Sequence, residues 1–374
     1  MSGRSRASNA RASGGPVRAL VTCLLLLASC AGYERFATPS MTDPTRHDVL
    51  APYEAARWPA FLRRLDLARA RDYVILAFVP TNHPFDLSSH SRARASLLEA
   101  AASPGLDTRI GHLIVGWQCG PHQGMTSMTG AQGPEADALL KNGWGFAAAL
   151  STFTDGYLYP EGEHRLANLE ALAAGRGVVM AVEVRRSDCA AMRAELGRFL
   201  THPNAPVKNY GLRHDPAAYE GAGCISFGFY LANAAGILDE VSDRISREVT
   251  LHAPMLGQGP EGAARYRGVV LYSPPDGCCS RPMPLAKLLL SRWDDGPVVD
   301  RVRVEDGELV LAALVAAREG VAPSDDWRFA RRLPEARDPW AARAALAGRR
   351  FAGSYPVTRI ADPEGVSALV LERN

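Results

Sequence analysis

Gly221-Ala-Gly-Cys-Ile-Ser-Phe-Gly-Phe-Tyr-Leu-Ala-Asn-Ala-Ala-Gly236 decides how this chain is read. Ile225 to Leu238 is apolar nearly all round, so as a helix it is a buried one, and Gly236 stands where it can end. The small residues before Cys224 allow close backbone approach and put its sulfur at the helix N-terminus. There, exposed amide hydrogens and the helix dipole favour thiolate over thiol, which is what a cysteine nucleophile needs. The other reading of Cys224 is a buried small hydrophobe.

Upstream, Ile110-Gly-His-Leu-Ile-Val-Gly-Trp-Gln-Cys119 reads as a strand closed by Gly120-Pro121, with Gly124 to Thr129 returning as its hairpin partner. Alternation puts Ile110, His112, Ile114 and Gly116 on one face. His112 is then either a satisfied core histidine or a general base presented from a sheet. Tyr73 to Val79 and Gly177 to Val184 are further buried strands. Helices are expected over Tyr53 to Ala70, Ala93 to Ala102, Glu163 to Ala174 and, capped by Ser187, on to Leu200. Val207 to Gly223 is a loop or strand leading to Cys224.

After Asp239 the texture changes to proline, glycine and short strand-like runs at Arg267 to Tyr272, Val298 to Val304, Leu309 to Ala316, Tyr355 to Ile360 and Ala368 to Leu371, interrupted by a helix from Trp340 to Ala347. Residues 241–374 are therefore expected to form a smaller strand-rich C-terminal unit after a domain at 56–240, either a second unit or a β-rich extension of the first. The expected fold class is α+β, an antiparallel sheet with packed helices.

The strand Gly-His-Leu-Ile-Val-Gly, then Asn209-Tyr-Gly-Leu, then a helix opening at Gly-Cys-Ile-Ser-Phe resembles the circularly permuted papain-like cysteine hydrolases, the branch of lecithin retinol acyltransferase and bacterial envelope amidase-like proteins. The resemblance spans roughly residues 70–240. It implies Cys224 as nucleophile, His112 as general base, and a cysteine helix packed on an antiparallel sheet that carries the histidine. The gap between the two is longer than in that family, which implies an insertion around Gly130 to His164. For the orienting third residue it offers Thr129 or Gln132, with His122 as an outside choice. Asn209 and Tyr210 are candidates for the pocket wall or oxyanion region, beside the backbone N–H of Cys224. The implied activity is a thiol-dependent hydrolase or acyltransferase acting on an amide or ester. Peptidoglycan peptides, lipids and protein amides are the possible substrates. The competing reading is a non-catalytic lipoprotein that binds an envelope partner.

The N-terminus sets the compartment. Arg4, Arg6, Arg11 and Arg18 precede the apolar run Ala19 to Leu27, which is too short for the roughly 20 residues that span a bilayer. Leu27-Ala-Ser-Cys30 resembles the lipobox of bacterial lipoproteins, which implies a signal peptide over 1–29, a lipidated Cys30 (diacylglycerol with palmitate-type chains) and an outer-membrane anchor facing the periplasm. The polar segment 30–55, with Pro39, Pro44 and Pro52, reads as a tether or as an N-terminal arm packed on the domain. Removing 29 of 374 residues leaves 345, enough for a large core. The formal charge of +2 includes the four leader arginines, so the mature chain is near −2 and nucleic acid is not an expected partner.

Of the seven cysteines, five follow Cys30: Cys119, Cys189, Cys224, Cys278 and Cys279. An odd number leaves at least one thiol outside intrachain disulfides. Cys278-Cys279 reads as a structural or vicinal disulfide, or one of the two pairs with Cys189. Their spacing is not that of a zinc site, so no metal and no cofactor is expected. Trp117 and Trp144-Gly-Phe146 are either core or the wall of a substrate groove.

Overall fold

A computed structural model describes residues 48–374 except 56–57, 82–83, 103–110, 131–137, 140–141, 159–162, 257–267, 276–284, 323–337 and 362–364. Cys30, Gln132, Cys278 and Cys279, with the leader and most of the tether, lie outside the described residues.

The strands are β1 (Asp72–Val79), β2 (His112–Cys119), β3 (His122–Thr126), β4 (Met128–Thr129), β5 (Thr152–Phe153), β6 (Tyr157–Leu158), β7 (Val178–Val184), β8 (Ser246–His252), β9 (Val269–Val270), β10 (Val298–Glu305), β11 (Val357–Ala361) and β12 (Ser367–Glu372). The helices that matter here are α1 (Ala51–Glu54), α2 (Ala60–Arg63), α3 (His90–Ala102), α4 (Glu163–Ala173), α5 (Arg186–Thr201), α6 (Cys224–Ala234), α7 (Gly307–Glu319) and α8 (Pro339–Gly353).

Six strands make the main sheet in the order β11-β12-β7-β1-β2-β3. All neighbours are antiparallel except β12 and β7, which run parallel, so the α+β class stands while the sheet is mixed rather than purely antiparallel. β1 and β7 read as nearly continuous apolar runs because both faces of the sheet are covered. One face presents Val74, Leu76, Leu113, Val115, Trp117, Met180 and Val182 to α5, α6, α7 and α8. The other presents Tyr73, Ile75, Ala77, Val79, Ile114 and Val179 to Trp58, Phe61, Leu62 and Leu172. A separate core, with Phe85, Leu97, Trp144, Phe146, Leu251, Trp293 and Val304, is organised on the β8/β10 ladder.

Several expectations are corrected. Tyr53 to Ala70 forms two four-residue helices rather than one. Arg185 is the N-cap of α5, so Ser187 lies inside its first turn. Leu309 to Ala316 is helical. Asp306 accepts from Glu308 N at the helix start, and because every residue from Leu309 to Ala317 is buried, no apolar stripe marks the helix period. Of the two alternatives for residues 241–374, the strands favour an extension of the first domain: β12 enters the main sheet beside β7, α7 packs on the sheet, and α8 packs on α7. Cys189 is bonded to Cys119, tying the first turn of α5 to the end of β2, rather than to Cys278 or Cys279.

Candidate functional site

Cys224 is the first residue of α6 and a free cysteine. Gly223 caps the helix without a side chain, and its N–H donates instead to Ser226 Oγ at 2.9 Å. Two glycines permit the fit. At Gly228 a Cβ would lie 2.4 Å from the Leu113 side chain, so only glycine lets α6 sit this close to β2. At Gly221, with φ +143°, a Cβ would lie 2.2 Å from Asn209 O.

The sulfur meets the main chain on either side of His112. The thiol donates toward Gly111 O at 3.8 Å, and the Leu113 backbone, the Tyr210 side chain and the first amides of α6 are placed to favour its thiolate. This edge of β2 is open because β3 pairs only as far as Val115 opposite Thr126. Beyond that point Ser127 Oγ donates to Leu113 O at 2.6 Å, and the thiol occupies the next position along the edge. Although those bonds favour the thiolate, burial outweighs them and pushes the Cys224 thiol up. The expected lowering by the helix N-terminus is present as a contribution and is overridden by desolvation.

His112 is buried and stands opposite Val79 in the β1/β2 register. Alternation roots its imidazole on the Ile114 face, whereas Leu113 and Val115 face α6. Cys224 and His112 thus come to the same end of β2, sulfur at the strand edge and imidazole from the far face.

The remaining candidates are sorted clearly. Tyr210 joins the sulfur directly. Asn209 does not: its amide donates to Glu220 O at 2.9 Å and its carbonyl accepts from Ala222 N. Thr129 is buried in the small β4/β6 ladder opposite Tyr157, off the strand beside His112, because the chain leaves the sheet after Thr126. His122 pairs with Cys119 at the other end of β2, seven residues and roughly 23 Å from His112. It bonds to Glu54 Oε2 at 2.9 Å and cannot orient the imidazole. Trp117 donates to Glu54 Oε1 at 3.1 Å, and Trp144 and Phe146 lie in the second core, so none of the three walls a groove at Cys224.

Three polar clusters escaped the sequence reading. Glu54 accepts from Nε and Nη2 of Arg193 (2.6 and 3.0 Å) and bonds to Trp117 and His122, fastening α1 to the sheet. Glu195 accepts the Tyr219 and Tyr230 hydroxyls and pairs with Arg198, which holds its carboxyl below the ordinary range despite burial. Arg247 bridges Asp306 (2.8 Å) and Asp338 (2.5 Å), the N-caps of α7 and α8. Asp306-Gly-Glu and Asp338-Pro were readable as cap signals.

No family model, curated protein or solved structure matches this chain. Among the described residues, no group of three His, Cys, Asp or Glu could hold a metal ion, and no helix is long and apolar enough to cross a membrane.

Proposed function

We propose that the protein is a lipid-anchored cell-envelope thiol hydrolase or acyltransferase of permuted papain-like layout, with Cys224 as nucleophile and His112 as base. The observation that carries this reading is the docking of the α6 N-terminus so that the Cys224 sulfur sits against the peptides flanking His112. In this reading the imidazole, rooted on the face of β2 opposite α6, turns around the strand edge beyond the end of β3 to meet the sulfur. His112 takes the thiol proton as the sulfur attacks a substrate carbonyl, forming a tetrahedral oxyanion beside the Cys224 N–H. Collapse to a thioester expels the amine or alcohol, which takes that proton. Water or another acceptor, deprotonated by His112, then releases the acyl group and restores the thiol. Lipid on Cys30 would hold this chemistry at the outer membrane facing the periplasm.

The test uses p-nitrophenyl acetate and intact-mass spectrometry of the mature protein. One acetyl group appearing on Cys224 with a burst of p-nitrophenol, and neither in Cys224→Ser, supports the reading. Steady turnover that persists in Cys224→Ser contradicts it.

One observation favours a second reading, a non-catalytic lipoprotein that binds an envelope partner. The sulfur is buried with its hydrogen bonds taken up by main chain and Tyr210, as a purely structural thiol would be.

A further inference from the structure

The loop that leads into α6 carries an open groove of about 520 Å³ lined by Asn204, Asn209, Arg213, His214, Tyr219 and Glu220. Its volume falls in the range of small-ligand clefts. Its side chains are held in place before any ligand arrives. The Tyr219 ring stacks parallel on His202 at 4.0 Å, while its hydroxyl donates to Glu195 at 2.6 Å. Arg213 donates through Nε to Leu150 O at 3.0 Å, and its guanidinium lies 4.6 Å over the Tyr272 ring. His214 Nε2 bonds Thr152 Oγ1 at 2.8 Å, and burial and the neighbouring Arg213 lower its pKa.

The backbone here is also unusual. Of the four non-glycine residues with positive φ in the described chain, Tyr219 (φ 54°) lines the groove and Ala205 (φ 48°) directly follows the lining residue Asn204. Strained backbone that the surroundings hold fixed is concentrated at binding sites.

We propose that this groove is a saccharide-binding site for a neutral, hydroxyl-rich glycan segment. One cation, Arg213, and one anion, Glu220, give the wall no net charge, so an anionic or cationic ligand meets a like charge on one side. A sugar hydroxyl donates and accepts at once. It therefore suits a wall that mixes donors (Arg213, the asparagine amides) with acceptors (Glu220, amide oxygens, an imidazole nitrogen). Tyr219 adds a fixed apolar ring edge or face against which the C–H surface of a sugar can rest. The site is independent of the Cys224 chemistry, and Cys224→Ser leaves it intact.

The test is calorimetric titration of the full chain in detergent with tri-N-acetylchitotriose, maltotriose and cellotriose, and with alanyl-alanine as a zwitterion of no net charge. Saturable binding of at least one trisaccharide, weakened at least about tenfold in both Arg213→Ala and Glu220→Gln while an Arg301→Ala variant outside the groove binds normally, is the expected result. Far-UV circular dichroism confirms that each variant is folded, and Asn204→Ala, an exposed position, serves in place of either that is not. Three outcomes overturn the proposal: no trisaccharide binds, binding is unchanged by the groove variants, or alanyl-alanine binds more tightly than every sugar.

Discussion

The N-termini of α7 and α8 and the N-terminus of α6 solve the same problem, the orphan amides of a buried helix start, in opposite ways. At α7 and α8 the caps are aspartates, and Arg247 lies between them with its guanidinium in contact with both. The guanidinium and both carboxyl groups are only a few per cent exposed, and the carboxyls sit at the positive ends of the two helices. At α6 there is a glycine cap, no carboxylate, and a thiol set among the first amides of the helix with Tyr210 beside it. The first arrangement spends its charge on holding two helices to β8. The second leaves the field of a helix terminus uncompensated at one sulfur atom, which is the condition for stabilising negative charge that develops during a reaction.

The largest expected effect separates these roles. Arg247→Ala strands two buried carboxylates and is expected to cost about 3–5 kcal/mol of unfolding free energy. Urea denaturation measures it. A loss under about 1 kcal/mol would show that the two caps do not depend on the guanidinium, and the contrast with α6 would fail.

Glu305, one residue before Asp306, sharpens the same side of the comparison. Burial pushes its carboxyl up to about 7, with Asp215 adding to the shift and Arg303 opposing it. The folded protein therefore holds this proton where the unfolded chain releases it. Stability associated with Glu305 is fully present below about pH 4.5 and is lost as pH rises through 7. Glu305→Gln should gain about 1–3 kcal/mol over the parent at pH 8 and nothing at pH 4.5, compared by denaturation at the two values. An equal effect at both pH values would contradict the titration.

At α6 the expected stability effect is smallest. Tyr210→Phe removes one hydrogen bond to the sulfur at a cost of about 0.5–1.5 kcal/mol, and it should raise the thiol pKa further, because that bond favours the thiolate. Absorbance of the thiolate at 240 nm across pH reads the shift. A lowered pKa would mean that the tyrosine holds the protonated form instead.

How far the residues themselves foretold this depends on whether a local rule was at work. β1, β2 and β7 were legible as buried β-branched runs, α6 as an all-apolar segment closed by Gly236, and the position of Cys224 at its start followed directly. α7 was not, since complete burial erases the periodicity that distinguishes helix from strand, and β12 was seen as a strand but not as a partner of β7, about 190 residues earlier. At the site, Tyr210 reaches the sulfur from the loop just upstream of Cys224. Thr129 lies in the β4/β6 ladder instead of on the strand beside His112, and nothing local announces that the chain leaves the sheet after Thr126. The sign of the thiol shift was misjudged for a related reason: dipole and amides are readable from a helix start, whereas burial is set by the whole fold.

The most direct test of the account is the alkylation of Cys224 by iodoacetamide between pH 5 and 9, followed by mass spectrometry, in the parent, His112→Gln and His112→Ala. The account predicts that the parent labels at Cys224 with a rate that depends on the imidazole, and that both variants lose at least about tenfold of it while remaining folded. A thiol that labels equally slowly in all three, or only once the protein unfolds, would contradict a Cys224/His112 pair and leave the sulfur as part of the core.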